Sequence, residues 1–267
     1  TLDTLRVVYA VEALFMGAVL VLISLQPLIE GPTVRDLNRA AANSDNSVSA
    51  SSRAWLLPLL PVLGISIVAT GILALQQSAL PLDLVRGGVA RPGLSESHSS
   101  ALIALQLTLL VSLQWPVGRW LADRSVAFGL GLSLAGFSLG CGLIALSSLF
   151  EAGTALVLLA LLPMAFAQAA FLPTATEAVI EETPPEHRGL AMALFSQCFT
   201  VSAIVAPLAG GALLDAQNNG VVLWLLMGTA CLTMLPALRN LQPRYRNSTE
   251  LNPINSERIT DAIAGPD

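Results

Sequence analysis

The stretch WLLPLLPVLGISIVATGILALQQSALPLD runs from Trp55 to Asp83 and carries no charge before its last residue. A bilayer hydrocarbon core is about 30 Å thick and takes roughly 20 apolar residues of helix to cross, so this run is long enough. Working outward, six more stretches meet the same condition, at approximately 5–29, 99–118, 126–150, 154–176, 190–214 and 221–238. The runs are continuous rather than alternating, which favours helices over the ten-residue alternating segments of a membrane barrel. The first is too long for a signal peptide and has no small-residue cleavage site where one belongs. Composition agrees. Of 267 residues, 54% are hydrophobic and 12% charged, with a mean hydropathy of +0.69. Soluble domains carry about 25% charged residues, so a single soluble globule is excluded, and a disordered chain falls by the same figures. A net charge of −5 with no basic stripe argues against a nucleic-acid partner. The reading is an all-α integral membrane protein of about seven transmembrane helices, with the lipid bilayer as its surroundings.

Lysine is absent, and all 13 basic residues are arginine. Their placement sets an expected topology, because short cytoplasmic loops collect positive charge. With the C-terminus in the cytoplasm, Arg35, Arg39, Arg53, Arg119, Arg124, Arg188, Arg239, Arg244, Arg246 and Arg258 lie inside, and Arg6, Arg86 and Arg91 lie outside. Seven crossings then place Thr1 outside. The expected divisions are a transmembrane helix over 1–30, a flexible cytoplasmic loop over 31–54, a six-helix bundle over 55–239 and a polar, disordered cytoplasmic tail over 240–267. The expected location is the cell (inner) membrane.

Catalytic groups find no support. Cys141, Cys198 and Cys231 each sit alone in a span, without metal or redox spacing, and read as small apolar residues. His98 and His187 lie at span ends, and no phosphate loop, nucleophile elbow or HExxH motif occurs. Polar groups inside the spans say more, since a carboxylate at mid-membrane costs on the order of 3 kcal/mol. Glu12 is such a group. It reads either as a proton-coupling or substrate-contacting carboxylate, or as one near the interface that reaches water or a neighbouring helix. Gln76, Gln77, Gln106, Gln114, Gln168 and Gln197 should face the bundle or a wet cavity, either bonding between helices or lining a pathway. Asp83 either closes a pathway or meets water.

Small residues mark close helix contacts at Gly136 and Gly140, and at Ser202, Ala206 and Gly210. Pro207 within the second stripe allows a kink. In EETPPEHRG, Thr183 is expected to N-cap a helix with Pro184 in its first position and Glu186 completing a capping box. Arg188 would then stand at the membrane face, in reach of a carboxylate on a neighbouring loop.

PVGRWLADR, from Pro116 to Arg124, resembles the loop signature of the major facilitator superfamily, which ends in leucine, a small residue, aspartate and arginine. PPEHRGLAMALF, from Pro184 to Phe195, resembles the loop entering the fifth helix of a half, and VAPLAGG, from Val205 to Gly211, resembles the glycine-proline-x-x-glycine-glycine pattern within it. Departures exist. Gly118 lies five before Asp123 instead of four, the basic residues expected after the loop are missing, and Ala206 replaces the first glycine. The weaker copy fits a C-terminal half, making the last six spans one major-facilitator-type bundle and the first span the sixth helix of a twelve-helix chain, cut just before it.

The resemblance implies a secondary transporter that moves a small molecule by alternating access, with no cofactor beyond a proton or ion gradient. An efflux role is favoured by the VAPLAGG stretch. Implied gating residues are Gly118, Asp123, Arg124, Arg188, Pro207, Gly210 and Gly211, with Glu181 beside them at the cytoplasmic contacts. Candidate pathway residues are Glu12, Gln76, Gln106, Gln168 and Gln197. The implied partner is a missing N-terminal bundle of the same protein, and substrate, direction and coupling ion stay open. The other class of reading is a non-catalytic polytopic scaffold or subunit.

Overall fold

A computed structural model describes residues 55–241, which belong to one compact unit. The predicted span at 5–29, the linker and the tail, and Glu12 with them, lie outside the described residues.

The described chain forms six long helices: α1 Leu56–Arg86, α2 Glu96–Leu121, α3 Val126–Ser147, α4 Gly153–Glu181, α5 Arg188–Gln217 and α6 Val221–Met234, the last continued by a 3-10 turn, Leu235–Asn240. With that extension counted, all six are long and apolar enough to cross a membrane. No strand occurs among the described residues. Chain punctuation explains most of the boundaries. Ser95 and Ser125 N-cap α2 and α3, accepting from the His98 and Phe128 amides at 3.4 and 3.3 Å. Gly87 ends α1 at φ 90°, where a Cβ would lie 2.8 Å from the Arg91 carbonyl oxygen. Asn218 ends α5 in the left-handed region at φ 57°.

One expected boundary moves. Pro184, not Thr183, precedes the first turn before α5, a 3-10 helix over Pro185–His187, and Pro184 makes no side-chain cap bond. The Thr183 hydroxyl is buried without a partner. The reason is steric. A residue before proline is pushed out of the helical region, so Pro184, followed by Pro185, is extended at ψ 145° and cannot be the first helical residue. The capping box therefore does not form.

Helix α4 packs on α3 and α2, α3 on α6, and α1 on α5. The GxxxG reading holds at α3–α4: a Cβ at Gly136 would lie 2.9 Å from that of Ala167, and one at Gly140 would overlap Met164 Cγ. Phe137 and Phe171 meet edge to face beside it, with centroids 6.5 Å apart. The second stripe holds too. Ser202 Oγ lies 2.7 Å from Thr70 Oγ1 across α1–α5, and a Cβ at Gly210 would come 2.5 Å from Leu75 Cδ2. The outer faces are apolar, with Leu57, Val111 and Leu208 about 70% exposed. Water would penalise such surfaces, whereas lipid would not. Helices α3 and α4 are about half buried, whereas α2 shows most of its surface.

Candidate functional site

The six antiparallel helices give the bundle two ends. The Asp123 end gathers four of the expected gating residues, Gly118, Asp123, Arg124 and Arg188. Ser125 N-caps α3 directly after Arg124, so the reversal between α2 and α3 is confined to Ala122–Arg124, with the Arg124 amide bonded to the Leu121 carbonyl at 2.9 Å. Asp123 and Arg124 are both exposed there, and neither makes an ion pair among the described residues. Gly118 is half buried with open space where a Cβ would stand. A cavity of about 180 Å³ opens beside it, lined by Gly118, Arg124, Gly129, Thr174 and Glu177. Arg188 is half buried at the start of α5, and its Nε has no partner. His187 stacks on Trp55 at 4.9 Å, which ties the α5 entry to the start of α1. Glu181, Glu182 and Thr183 are buried close by in sequence, at the end of α4.

Further along α5, Pro207 and Gly211 are half buried, and Gly210 is buried against α1. Pro207 lacks the amide proton that would bond back along the helix.

The candidate pathway glutamines occupy the middle of the helices but do not form one cluster. Gln76 is buried in α1 with its Nε2 unpartnered. Gln106 of α2 is buried against α4. With its amide oriented to satisfy both groups, it donates to the Leu161 carbonyl at 3.0 Å and accepts from the Ala165 amide at 3.2 Å. A side chain reaching into a helix ladder in this way favours a bend, and Pro163 lies between the two groups. Gln168 is half buried in α4 and Gln197 is exposed on α5, as are Gln77 and Gln114.

The opposite end holds a feature that Asp83 alone did not reveal. Asp83 and Arg91 form an ion pair at 3.2 Å with both side chains fully buried. Arg91 also donates to the Asp83 carbonyl at 3.1 Å and to Ser147 Oγ at 2.6 Å. Trp224 Nε1 donates to Asp83 Oδ2 at 3.3 Å. The last turn of α1, the α1–α2 loop, the end of α3 and the first turn of α6 therefore share one knot. Glycine allows the close approach, since a Cβ at Gly220 would lie 2.6 Å from Asp83 Oδ1. Asp83 thus neither meets water nor stands alone. Arg91, in the connection between α1 and α2, is buried. The available signal was the spacing of Asp83 and Arg91 across GGVARPG, a loop rich enough in glycine to fold the arginine back. A second, exposed ion pair joins Arg86 to Asp215 at 2.7 Å across the ends of α1 and α5.

No group of three or more potential metal ligands occurs among the described residues. What the arrangement offers is two differently built ends, with amide groups dispersed along the helices between them.

The comparisons with known proteins agree with this architecture. Among curated proteins none matches the sequence. Solved structures of the peptide transporter POT share the fold. One in complex with sulfate is 18% identical with a TM-score of 0.56, over 77% of this chain and 44% of that one. A mutant in complex with alafosfalin is 16% identical with a TM-score of 0.55, over 78% and 46%. The chain thus spans less than half the length of these solved relatives. The sequence profile of the Major Facilitator Superfamily matches residues 47–260, and the chain is an integral membrane protein that belongs to that superfamily.

Proposed function

We propose that the protein acts in secondary active transport, moving a small molecule across the membrane by alternating access with a proton gradient as its driving force. The family is one of transporters rather than enzymes, and the observation that carries the reading is the Asp123 turn. An exposed aspartate and arginine without ion-pair partners in this bundle, at the tight α2–α3 reversal, are free to exchange partners as a bundle rocks. The cytoplasm is the side assigned to this end, because Arg119, Arg124, Arg188 and Arg239 all cluster there. A second bundle of the same protein is the partner that such rocking needs. Glu12 is assigned the proton, and Gln76, Gln168 and Gln197 the substrate path, while Gln106 bonds α2 to α4. Efflux is the direction favoured by the VAPLAGG stretch.

The test is a solute-transport screen in cells carrying the protein or its Asp123→Asn variant, at equal membrane abundance. A transported solute should move at least about tenfold more slowly in the variant. Unchanged transport would refute the gating role. Glu12→Gln should flatten the pH dependence of the same flux, and an unaltered pH profile would remove Glu12 from coupling.

A further inference from the structure

Helix α2 is fastened to the bundle unevenly along its length. Only 11% of its most apolar stretch is buried, against 56% for α4. Near its start, Ser99 donates to the Pro81 carbonyl of α1 at 3.4 Å, and Leu102 packs on the main core. Gln106 then anchors it to α4. The Gln106 amide donates to the Leu161 carbonyl and accepts from the Ala165 amide, two backbone groups on either side of Pro163. Drawing that amide away from them would leave polar groups unsatisfied in an apolar interior, so this point resists sliding.

Beyond Gln106 the attachment thins. Val117 and Leu121 meet Ala169 and Ala170 in a small apolar cluster of their own, separate from the main core. The helix is also weakened over the same stretch. Thr108 Oγ1 donates to the Ala104 carbonyl and Ser112 Oγ to the Thr108 carbonyl, both at 2.8 Å, and back-bonding of this kind weakens and bends helices. Pro116, four residues further, lacks the amide that would bond to the Ser112 carbonyl. An open groove of about 490 Å³ runs beside this stretch, with Leu113 on its α2 wall and Leu132, Gly136, Pro163 and Phe166 of α3 and α4 around it.

We propose that α2 is a lever anchored at Gln106, whose arm, residues 107–121, flexes toward and away from the groove and swings the Asp123 turn with it. Leu121 stands about 22 Å along the axis from Gln106 at 1.5 Å per residue, so a tilt of about 10° moves the turn by roughly 4 Å. Leu113 passes between lipid and groove, two surroundings of equal polarity, so the swing carries little solvation cost. The lever rests on the transport reading only for its purpose, which is to move Asp123 and Arg124 between partners.

Double electron–electron resonance on the full chain in lipid nanodiscs tests it. Spin labels attached through non-natural residues avoid Cys141, Cys198 and Cys231. One label replaces Leu232 on α6, and the second replaces either Leu105, beside the anchor, or Arg119, near the end of the arm, all three being exposed. The distance distribution to position 119 should be at least about twice as broad as that to position 105, because the first lies roughly 20 Å from the anchor and the second one residue away. Gln106→Leu should broaden the 105 distribution about twofold, since the interhelical bonds are lost. Ala135→Trp fills the groove from an exposed position, and the combined Thr108→Ala, Ser112→Ala, Pro116→Ala protein restores a regular helix. Each should narrow the 119 distribution to the width seen at 105 and leave the 105 distribution unchanged. A reference pair at Leu158 and Leu232, across α4 and α6, should keep its distance in every variant, which shows that the bundle folds. Equal widths at 105 and 119 in the unsubstituted protein, an unaltered 105 distribution in Gln106→Leu, or a 119 distribution left broad by the filled groove or by the straightened helix would each overturn the lever. The distances are read without a transport assay, so failure of one reading leaves the other intact.

Discussion

The two ends of the bundle handle charge in opposite ways. At the Asp83 end, both described arginines of the loop and helix ends have carboxylate partners: Arg91 with Asp83 in a fully buried pair, and Arg86 with Asp215 in an exposed one. At the Asp123 end, Arg119 and Arg124 rest on aromatic rings, and Asp123 stands exposed. The connections differ to match. The loop after α1 is bonded back into the fold, with the Gly88 amide donating to the Arg91 carbonyl, Ala90 to Ser148 and Leu94 to Leu84 at 2.8–2.9 Å. The α2–α3 turn bonds only to its own neighbours. A bundle built this way has one end that moves as a unit and one end whose charged groups can change partners.

The comparison breaks most severely at the buried pair. Removing one member leaves an uncompensated buried charge, which costs about 3–5 kcal/mol. Arg91→Met should therefore lower stability by that amount in denaturant titration in detergent, and Asp83→Asn by somewhat less, because the amide can still accept from Trp224. The combined Asp83→Asn, Arg91→Met protein should be more stable than the sum of the single losses predicts. Strict additivity would show that the two groups do not act as a pair. Next in size is Gly153→Ala. A Cβ there would overlap the Ser147 carbonyl oxygen, a backbone atom that cannot swing aside, so a loss of about 1–3 kcal/mol is expected. Gly140→Ala, which meets the flexible Met164 side chain, should cost less.

These differences also show what the sequence could and could not disclose. The six described spans were legible because lipid exposure needs long uninterrupted apolar runs, and every structural helix lies within a few residues of its run. The small-residue stripes at Gly136–Gly140 and Ser202–Gly210 were legible for a related reason, since close backbone approach leaves no other residue type. Asp83 was visible as a charge, but its meaning depended on a loop that turns Arg91 inward, and no periodicity reports a loop conformation. The capping box failed because Pro185 acted on Pro184, a one-residue steric effect that outweighed the motif. Among the glutamines, residue type did not distinguish Gln106, set into α4, from the exposed Gln114 eight positions on. That difference lies in which helix happens to pass.

Smaller effects sharpen the contrast. Thr70→Val with Ser202→Ala removes the hydroxyl contact between α1 and α5, and should cost about 1 kcal/mol in the same titration, within the range measured for interhelical hydrogen bonds in membranes. Asp123→Asn and Arg124→Gln should change stability by no more than about 0.5 kcal/mol, as exposed substitutions do. A large loss at Asp123 would mean that its role is structural.

Hydrogen–deuterium exchange of the protein in lipid nanodiscs tests the contrast most directly. The amides of Gly88, Ala90 and Leu94, although in a connecting loop, should exchange as slowly as those inside neighbouring helices, and Arg91→Met should release them. The turn over residues 122–125 should exchange orders of magnitude faster. Equal exchange at the two connections would contradict an end that moves as a unit opposite an end free to change partners.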